Sequence, residues 1–157
     1  MSLVESRAEC RIVVLNFNGR ILLEECLPSI LRSAQKSGHS CAITVLDNCS
    51  ADDSEAVVKS RFRGVLFVKA TANRVFCSYN EYLGKITEDF VILLNNDIKT
   101  DEDFIDPLIE VLKTHPDGFF STPRALYFYN GEYEGSLSKM EFRFGLLWGT
   151  ARFKGFE

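Results

Sequence analysis

The sequence has 157 residues, 46% of them hydrophobic, with 13 Phe and 5 Tyr and a formal net charge of −4. These values describe one domain of ordinary size with enough apolar material for a core, and they exclude a disordered chain. No basic block or stripe is present, so nucleic acid is not an expected partner; the mild acidity fits ordinary solubility and also a site that needs a cation before it can hold a phosphate.

The five cysteines, Cys10, Cys26, Cys41, Cys49 and Cys77, form no C-x-x-C pair, and His39 and His115 lie far from most of them in sequence. Neither a zinc site nor a disulfide framework is expected, and inert free thiols in a reducing cytosol are the reading. The start, Met1 to Glu9, is polar and has no apolar signal-peptide core. No run approaches the roughly 18 apolar residues of a membrane span. The expectation is a cytoplasmic protein that could still associate peripherally with a membrane.

Arg11 to Asn16 is a short continuous apolar run that reads as a strand buried on both faces. Leu23, Cys26, Leu27, Ile30, Leu31 and Ala34 recur at helical spacing and predict a helix over Ile21 to Ser37, kinked or restarted at Pro28 and stopped by Gly38. Cys41 to Leu46 predicts a second strand. A polar loop, Asp47 to Asp53, leads to a helix over Ser54 to Phe62, with Ser50 or Asp52 as its cap. Val65 to Val68 predicts a third strand, Phe76 to Lys85 a helix, and Phe90 to Leu94 a fourth and most apolar strand. Thr100 to Asp103 resembles a capping pattern for a helix over Phe104 to Thr114, with Phe104, Ile105, Leu108, Ile109 and Leu112 as its buried face. Leu126 to Tyr133 predicts a β-hairpin closed by Asn130-Gly131. Beyond Gly135 the chain is rich in aromatic and basic residues and carries no element that the pattern identifies.

Strand–helix alternation means an α/β fold with a mainly parallel sheet flanked by helices, and such sheets bind ligands outside the carboxyl ends of their strands. Three polar clusters fall there: Asn16 to Gly19, Asp47-Asn48 and Asn95-Asn96-Asp97.

Four segments, in order, resemble family 2 glycosyltransferases: Asn16-Phe17-Asn18-Gly19, Asp47-Asn48-Cys49-Ser50-Ala51-Asp52, Asn73 with Phe76 and Asn80, and Asn95-Asn96-Asp97. Pro123-Arg124 and Asn130-Gly131 add a likeness to the rhamnosyltransferase-like branch, and the match runs from about Arg11 to Gly131. The resemblance implies a Rossmann-like fold of the GT-A type. It further implies a metal-dependent inverting transfer of a sugar, hexosyl or deoxyhexosyl, from a nucleoside-diphosphate sugar to an acceptor hydroxyl on a glycan or lipid-linked molecule, as in polysaccharide biosynthesis.

By the same resemblance, Asp97 is the carboxylate for Mg²⁺ or Mn²⁺, and Asp47 and Asn48 contact base and ribose. Asn16, Asn73, Arg74, Asn80, Asn95 and Asn96 complete the nucleotide-sugar-binding set, and the backbone of Leu15 to Phe17 flanks the base. Val75 stands where the family has Gly, which puts the donor contacts of that loop in question. An inverting transferase also needs a general base; Glu132, Glu134 and Glu141 are available and no motif marks any of them. The chain is therefore read as one nucleotide-sugar-binding domain over residues 1–157, without the acceptor-side half. The alternative is a truncated or degenerate domain that binds the donor without catalysis.

Overall fold

The computed structural model describes residues 8–127, 130–132, 137–143 and 146–153, the last two stretches as strands only. The chain divides into two compact units, Met1–Ser121 and Thr122–Glu157.

The first unit carries four parallel strands, β1 (Cys10–Asn16), β2 (Cys41–Asp47), β3 (Val65–Lys69) and β4 (Phe90–Asn95), in the order β3-β2-β1-β4. The chain steps from β1 to β2 to β3 in one direction and then places β4 on the other side of β1. That reversal opens a crevice at the carboxyl ends of β1 and β4, where open α/β sheets bind ligands. The registers are in phase: Asn16 pairs with Asp47, and Leu15 with both Leu46 and Asn95. The polar residues that end β1, β2 and β4 are thereby brought within one residue of the same level.

Three helices cover one face of the sheet: α1 (Arg20–Lys36), α2 (Ser54–Arg61) and α4 (Ile105–Thr114). Ile12, Val14, Ile43 and Val45 pack there against Leu23, Leu27, Ile30, Val58, Ile105 and Ile109. A short helix, α3 (Ser78–Leu83), lies on the other face, where Tyr79 packs with Val13, Leu15 and Leu46. β1 and β2 are buried on both sides, which is why they read as unbroken apolar runs. β4 is equally apolar yet sits at the edge of these four strands, with Val91 and Leu93 37% and 45% exposed.

Pro28 does not divide α1, which runs unbroken from Arg20 to Lys36. An interior proline costs about 3 kcal/mol. Leu23, Cys26, Leu27 and Ile30, buried on both sides of it, bind the two halves to the sheet and offset that loss. The helix stops at Ser37, whose ψ of 140° turns the chain away before Gly38 is reached. The predicted cap of α2 takes a different form. Asp52 accepts from the backbone N–H of Ser54 at 3.1 Å and of Arg20 at 2.9 Å, so one carboxylate serves the starts of two helices.

The capping pattern at Thr100 is not used by α4, which starts at Ile105 after Phe104 with no side-chain cap. Thr100 is tied to α1 instead, through its backbone N–H to Ser29 Oγ at 3.1 Å and its hydroxyl to Ser33 at 2.9 Å. Ile105 and Ile109 are buried as read, and Phe104, Leu108 and Leu112 are half-buried. The predicted helix over Phe76 to Lys85 is a single 3₁₀ turn, Val75–Cys77, followed by α3, which ends at Leu83. All five cysteines are free. Cys10 and Cys26 are buried, Cys41 is half-buried, and Cys49 and Cys77 are exposed. The half-buried Cys41 thiol is drawn down by a hydrogen bond from Cys10, its partner in the β1–β2 register.

In the second unit, β5 (Leu137–Arg143) pairs antiparallel with β6 (Leu146–Phe153), with a register shift between Lys139 and Met140. The alternation Met140-Glu141-Phe142-Arg143 carries that signal, which composition alone conceals. At the predicted Asn130-Gly131 hairpin, the Tyr127 N–H donates to the Glu132 carbonyl at 2.7 Å and the Gly131 N–H to Tyr127 at 2.9 Å. Four residues lie between the bonded pair, so the turn is wider than a two-residue one. Gly131, at φ 68°, supplies the left-handed step. The predicted aromatics Phe128, Tyr129 and Tyr133 lie outside the described residues.

Tyr79 joins α3 to the sheet: it is 8% exposed and its hydroxyl donates to the Leu94 carbonyl at 2.7 Å. Burial pushes its phenol up to about 12. Tyr79→Phe is expected to lower unfolding free energy by about 1 kcal/mol. Urea denaturation checks this, with the midpoint falling and the slope unchanged.

Candidate functional site

A cavity of about 350 Å³ opens at the carboxyl ends of the strands, lined by Leu15, Phe17, Asn48, Asn73, Val75, Phe76, Asn95, Asn96 and Asp97. It draws on the ends of β1, β2 and β4 and on the loop before α3. Phe17 and Phe76 are 52% and 62% exposed, although large apolar groups favour burial. With Leu15 and Val75 they make the apolar and aromatic part of the lining, and the asparagines and Asp97 make its polar part. That combination suits a flat heterocycle joined to a charged, hydroxyl-rich group. Phe17, Val75 and Phe76 were not singled out as site side chains from the sequence, because apolar residues within polar motifs read as packing.

Asn16 and Asp47 do not line the cavity; they lie behind it, 0% and 1% exposed. Asn16 Nδ2 donates to Asp47 Oδ1 at 2.9 Å and to Ser54 Oγ at 3.1 Å. Asp47 also accepts from Ser50, at 2.9 Å from its backbone N–H and at 2.6 Å from its hydroxyl. Asn16 Oδ1 accepts from Asn96 Nδ2 at 2.8 Å. A continuous polar network therefore joins β1, β2, the start of α2 and the segment after β4. Buried polar groups this fully paired fix one arrangement. The sequence marks Ser50 as a cap candidate and Ser54 as a helix start; their role as partners of Asn16 and Asp47 is tertiary and has no periodicity to mark it.

Gly19 permits this packing. A Cβ there would lie 1.9 Å from Asn96 Nδ2 and 2.6 Å from Asn16 Oδ1. Its φ of −111° is ordinary, so the glycine is needed for close approach and not for an unusual backbone angle.

Asn48 is 2% exposed and both ends of its amide are engaged. Nδ2 donates to the Val75 carbonyl at 3.1 Å, and Oδ1 accepts from the Ser78 hydroxyl. It reaches the cavity while holding the 73–78 loop against β2. Asn73 lines the cavity and its Oδ1 accepts from the Val75 N–H at 3.0 Å. Arg74 and Asn80 are exposed and stand outside the lining. The structure thus brings Asn48, Asn73, Asn95, Asn96 and Asp97 together, places Asn16 and Asp47 behind them, and leaves Arg74 and Asn80 apart.

Val75 adopts φ 53°, a left-handed backbone that a β-branched residue rarely takes. The side chain is 62% exposed, so little packing offsets the strain. The hydrogen bonds from Asn48 and Ser78 hold the loop in place.

Asp97 is the cavity's single carboxylate, exposed and without a hydrogen bond or ion pair among the described residues. Among those residues no group of three or more His, Cys, Asp or Glu could hold a metal ion. The donor set, one carboxylate beside two asparagine amides, does not fit a cation held by protein alone. It does fit a hard cation that completes its shell with phosphate oxygens and water.

The family model for glycosyl transferase family 2 matches residues 11–155. The chain belongs to that family. No curated protein matches it. Among solved structures, S. aureus TarS is similar at 15% identity with a TM-score of 0.58, over 76% of this chain and 24% of that one. A shorter form of TarS, residues 1–349 in complex with UDP, matches at 16% identity and TM-score 0.53, over 69% and 33%. A mannosyltransferase of Pyrobaculum calidifontis in complex with GDP-Man and Mn²⁺ matches at 20% identity over 60% and 29%, with a TM-score of 0.49. The chain spans a third or less of the length of the chains in these three structures. At such identities the likeness speaks for the fold, and the family 2 chain has the α/β architecture of the GT-A type.

Two substitutions test the geometry. Gly19→Ala is expected to destabilise by about 1–3 kcal/mol, because the added methyl must displace Asn96. Val75→Gly is expected to stabilise by about 1 kcal/mol through relief of the left-handed valine. Thermal melts of both variants read the two opposite shifts.

Proposed function

We propose that this family 2 chain binds a nucleoside-diphosphate sugar with Mg²⁺ or Mn²⁺ and works as a metal-dependent inverting glycosyltransferase. The observation that carries the proposal is the cavity at the β1/β4 crevice, whose lining combines the aromatic rings of Phe17 and Phe76 with the carboxylate of Asp97. Phe17 and Phe76 suit a uracil or thymine base, and Asn48, Asn73 and Asn95 suit sugar hydroxyls and the base edge. Asp97 would hold the cation, with Asn96 beside it. When bound, the cation neutralises the charge that develops on the departing diphosphate.

In the transfer, the acceptor hydroxyl oxygen bonds to the anomeric carbon on the face opposite the diphosphate. The bond from that carbon to the diphosphate oxygen breaks, the diphosphate leaves with the electron pair, and the hydroxyl proton passes to a carboxylate base. Hexosyl or deoxyhexosyl transfer to a glycan or lipid-linked acceptor in polysaccharide biosynthesis remains the reading for the whole activity, as does the rhamnosyltransferase-like branch. The same reading treats the chain as the nucleotide-sugar-binding part of the enzyme, located in the cytoplasm. No helix among the described residues is long and apolar enough to cross a membrane.

A second reading, donor binding without transfer, is favoured by one observation: among the described residues the cavity offers no carboxylate besides Asp97 to act as base.

Calorimetry with UDP and dTDP in the presence of Mn²⁺ tests the first reading. Binding is expected with at least one of them, weakened tenfold or more in Asp97→Ala. Equal affinity for wild type and variant would remove Asp97 from the site. Sugar transfer to an acceptor, abolished by replacing one carboxylate other than Asp97, would exclude the second reading.

A further inference from the structure

Asp47 is a buried carboxylate, and a carboxylate accepts hydrogen bonds without donating any. It therefore fixes which way round the Asn16 amide must lie. The Asn16 NH₂ faces three oxygens, Asp47 Oδ1 at 2.9 Å, Ser54 Oγ at 3.1 Å and Ser50 Oγ at 3.2 Å. Reversing the amide would set its carbonyl against the Asp47 carboxylate with no proton between them, a buried mismatch that costs more than the hydrogen bond it replaces. Asn16 Oδ1 is thus committed to the other side, where it needs a donor. The Asn96 NH₂ fills that need at 2.8 Å. It sits where Gly19 has no Cβ, so the glycine leaves room for the amide, while the hydrogen bond to Asn16 sets which way round it lies.

The consequence falls on the remaining end of Asn96. This residue lines the cavity next to Asp97, and its Oδ1 makes no hydrogen bond among the described residues. We propose that Asn96 is an oxygen ligand for the cation, and that its amide is held in that sense by a relay running from Asp47 through Asn16. The inference rests on the donor-site reading above. It moves Asn96 from the nucleotide side of the site to the metal side, and it makes Asn16 and Asp47 positioning residues that touch neither nucleotide nor metal. An amide oxygen beside a carboxylate gives a hard cation two protein donors, whereas the opposite polarity would present it with an NH₂ that repels it. The relay also accounts for a buried Asp and Asn at the ends of adjacent strands, where apolar residues would pack at less cost.

The test compares wild type, Asn96→Ala and Asp47→Asn. Mn²⁺ affinity is read by electron paramagnetic resonance at saturating UDP or dTDP, and nucleotide affinity in metal-free buffer by calorimetry. In Asp47→Asn an amide replaces the carboxylate, so Asn16 can turn round and the relay loses its sense. Both variants are expected to lose about tenfold in Mn²⁺ affinity, the scale typical of ligand-orienting partners, with metal-free nucleotide affinity unchanged. Asn96→Ala binding Mn²⁺ as wild type does would overturn the ligand role. A loss in Asn96→Ala but not in Asp47→Asn would overturn the relay. Equal losses of metal-free nucleotide affinity would return Asn96 to the nucleotide. Wild type that takes up no Mn²⁺ with either nucleotide would overturn the donor-site reading itself. The NMR of wild type gives a check independent of whether Asp47→Asn folds: the Asn96 side-chain NH₂ should show a nuclear Overhauser contact to Gly19 Hα. Absence of that contact would contradict the relay.

Discussion

Asn16 and Asp47 end adjacent parallel strands, pair in register, and share a hydrogen bond of 2.9 Å at almost complete burial. Two such groups away from solvent are costly unless every polar atom finds a partner. The surrounding loops are shaped by that requirement. Ser50 returns to Asp47, Ser54 brings the first turn of α2 within reach, and Asn96 closes the network from the segment after β4. A pair that must be satisfied thus sets the positions of three separate segments around one crevice. Among the described residues no buried side-chain nitrogen or oxygen lacks a partner.

The site divides accordingly into a rigid back and an accessible front. The back is the polar network, together with Asn48, which pins the 73–78 loop. The front is Phe17, Phe76, Asn73 and Asp97, all exposed and all lining the cavity. A site whose front groups rest on a paired back keeps its geometry before any ligand arrives, so less of the binding energy is lost to ordering. Val75 is the exception, a strained residue on the front wall. Strain of this kind persists only where neighbours over-determine the backbone, and Asn48 and Ser78 do so here.

Much of this was legible in the sequence. Apolar runs at Arg11 to Asn16 and Cys41 to Leu46 announced strands buried on both faces, and the polar residues closing each run announced the crevice. What the pattern could not provide was the distinction between facing a ligand and standing behind one. Asp47 and Asn48 are neighbours in the chain, yet Asp47 is withdrawn from the cavity and Asn48 is on its wall. That difference arises from the alternation of side chains at a strand end, combined with three-dimensional pairing to Ser50 and Ser54. Pro28 misled because local helix chemistry was weighed without the burial on either side of it. Thr100 misled because a capping pattern competes with tertiary partners, and Ser29 and Ser33 won. The β5–β6 pair escaped because a compositional reading of the tail hid its alternation.

The central claim is that the β1/β4 crevice holds a cation together with a nucleoside diphosphate. Paramagnetic broadening of amide resonances by Mn²⁺ locates the ion directly. With UDP or dTDP present, the account predicts selective loss of signals from Asn95, Asn96 and Asp97 and then from Phe17 and Asn48. Signals at the opposite end of the sheet, such as Cys10 and Cys41, should persist. Broadening centred on that opposite end, or spread evenly over the surface acids, would contradict it.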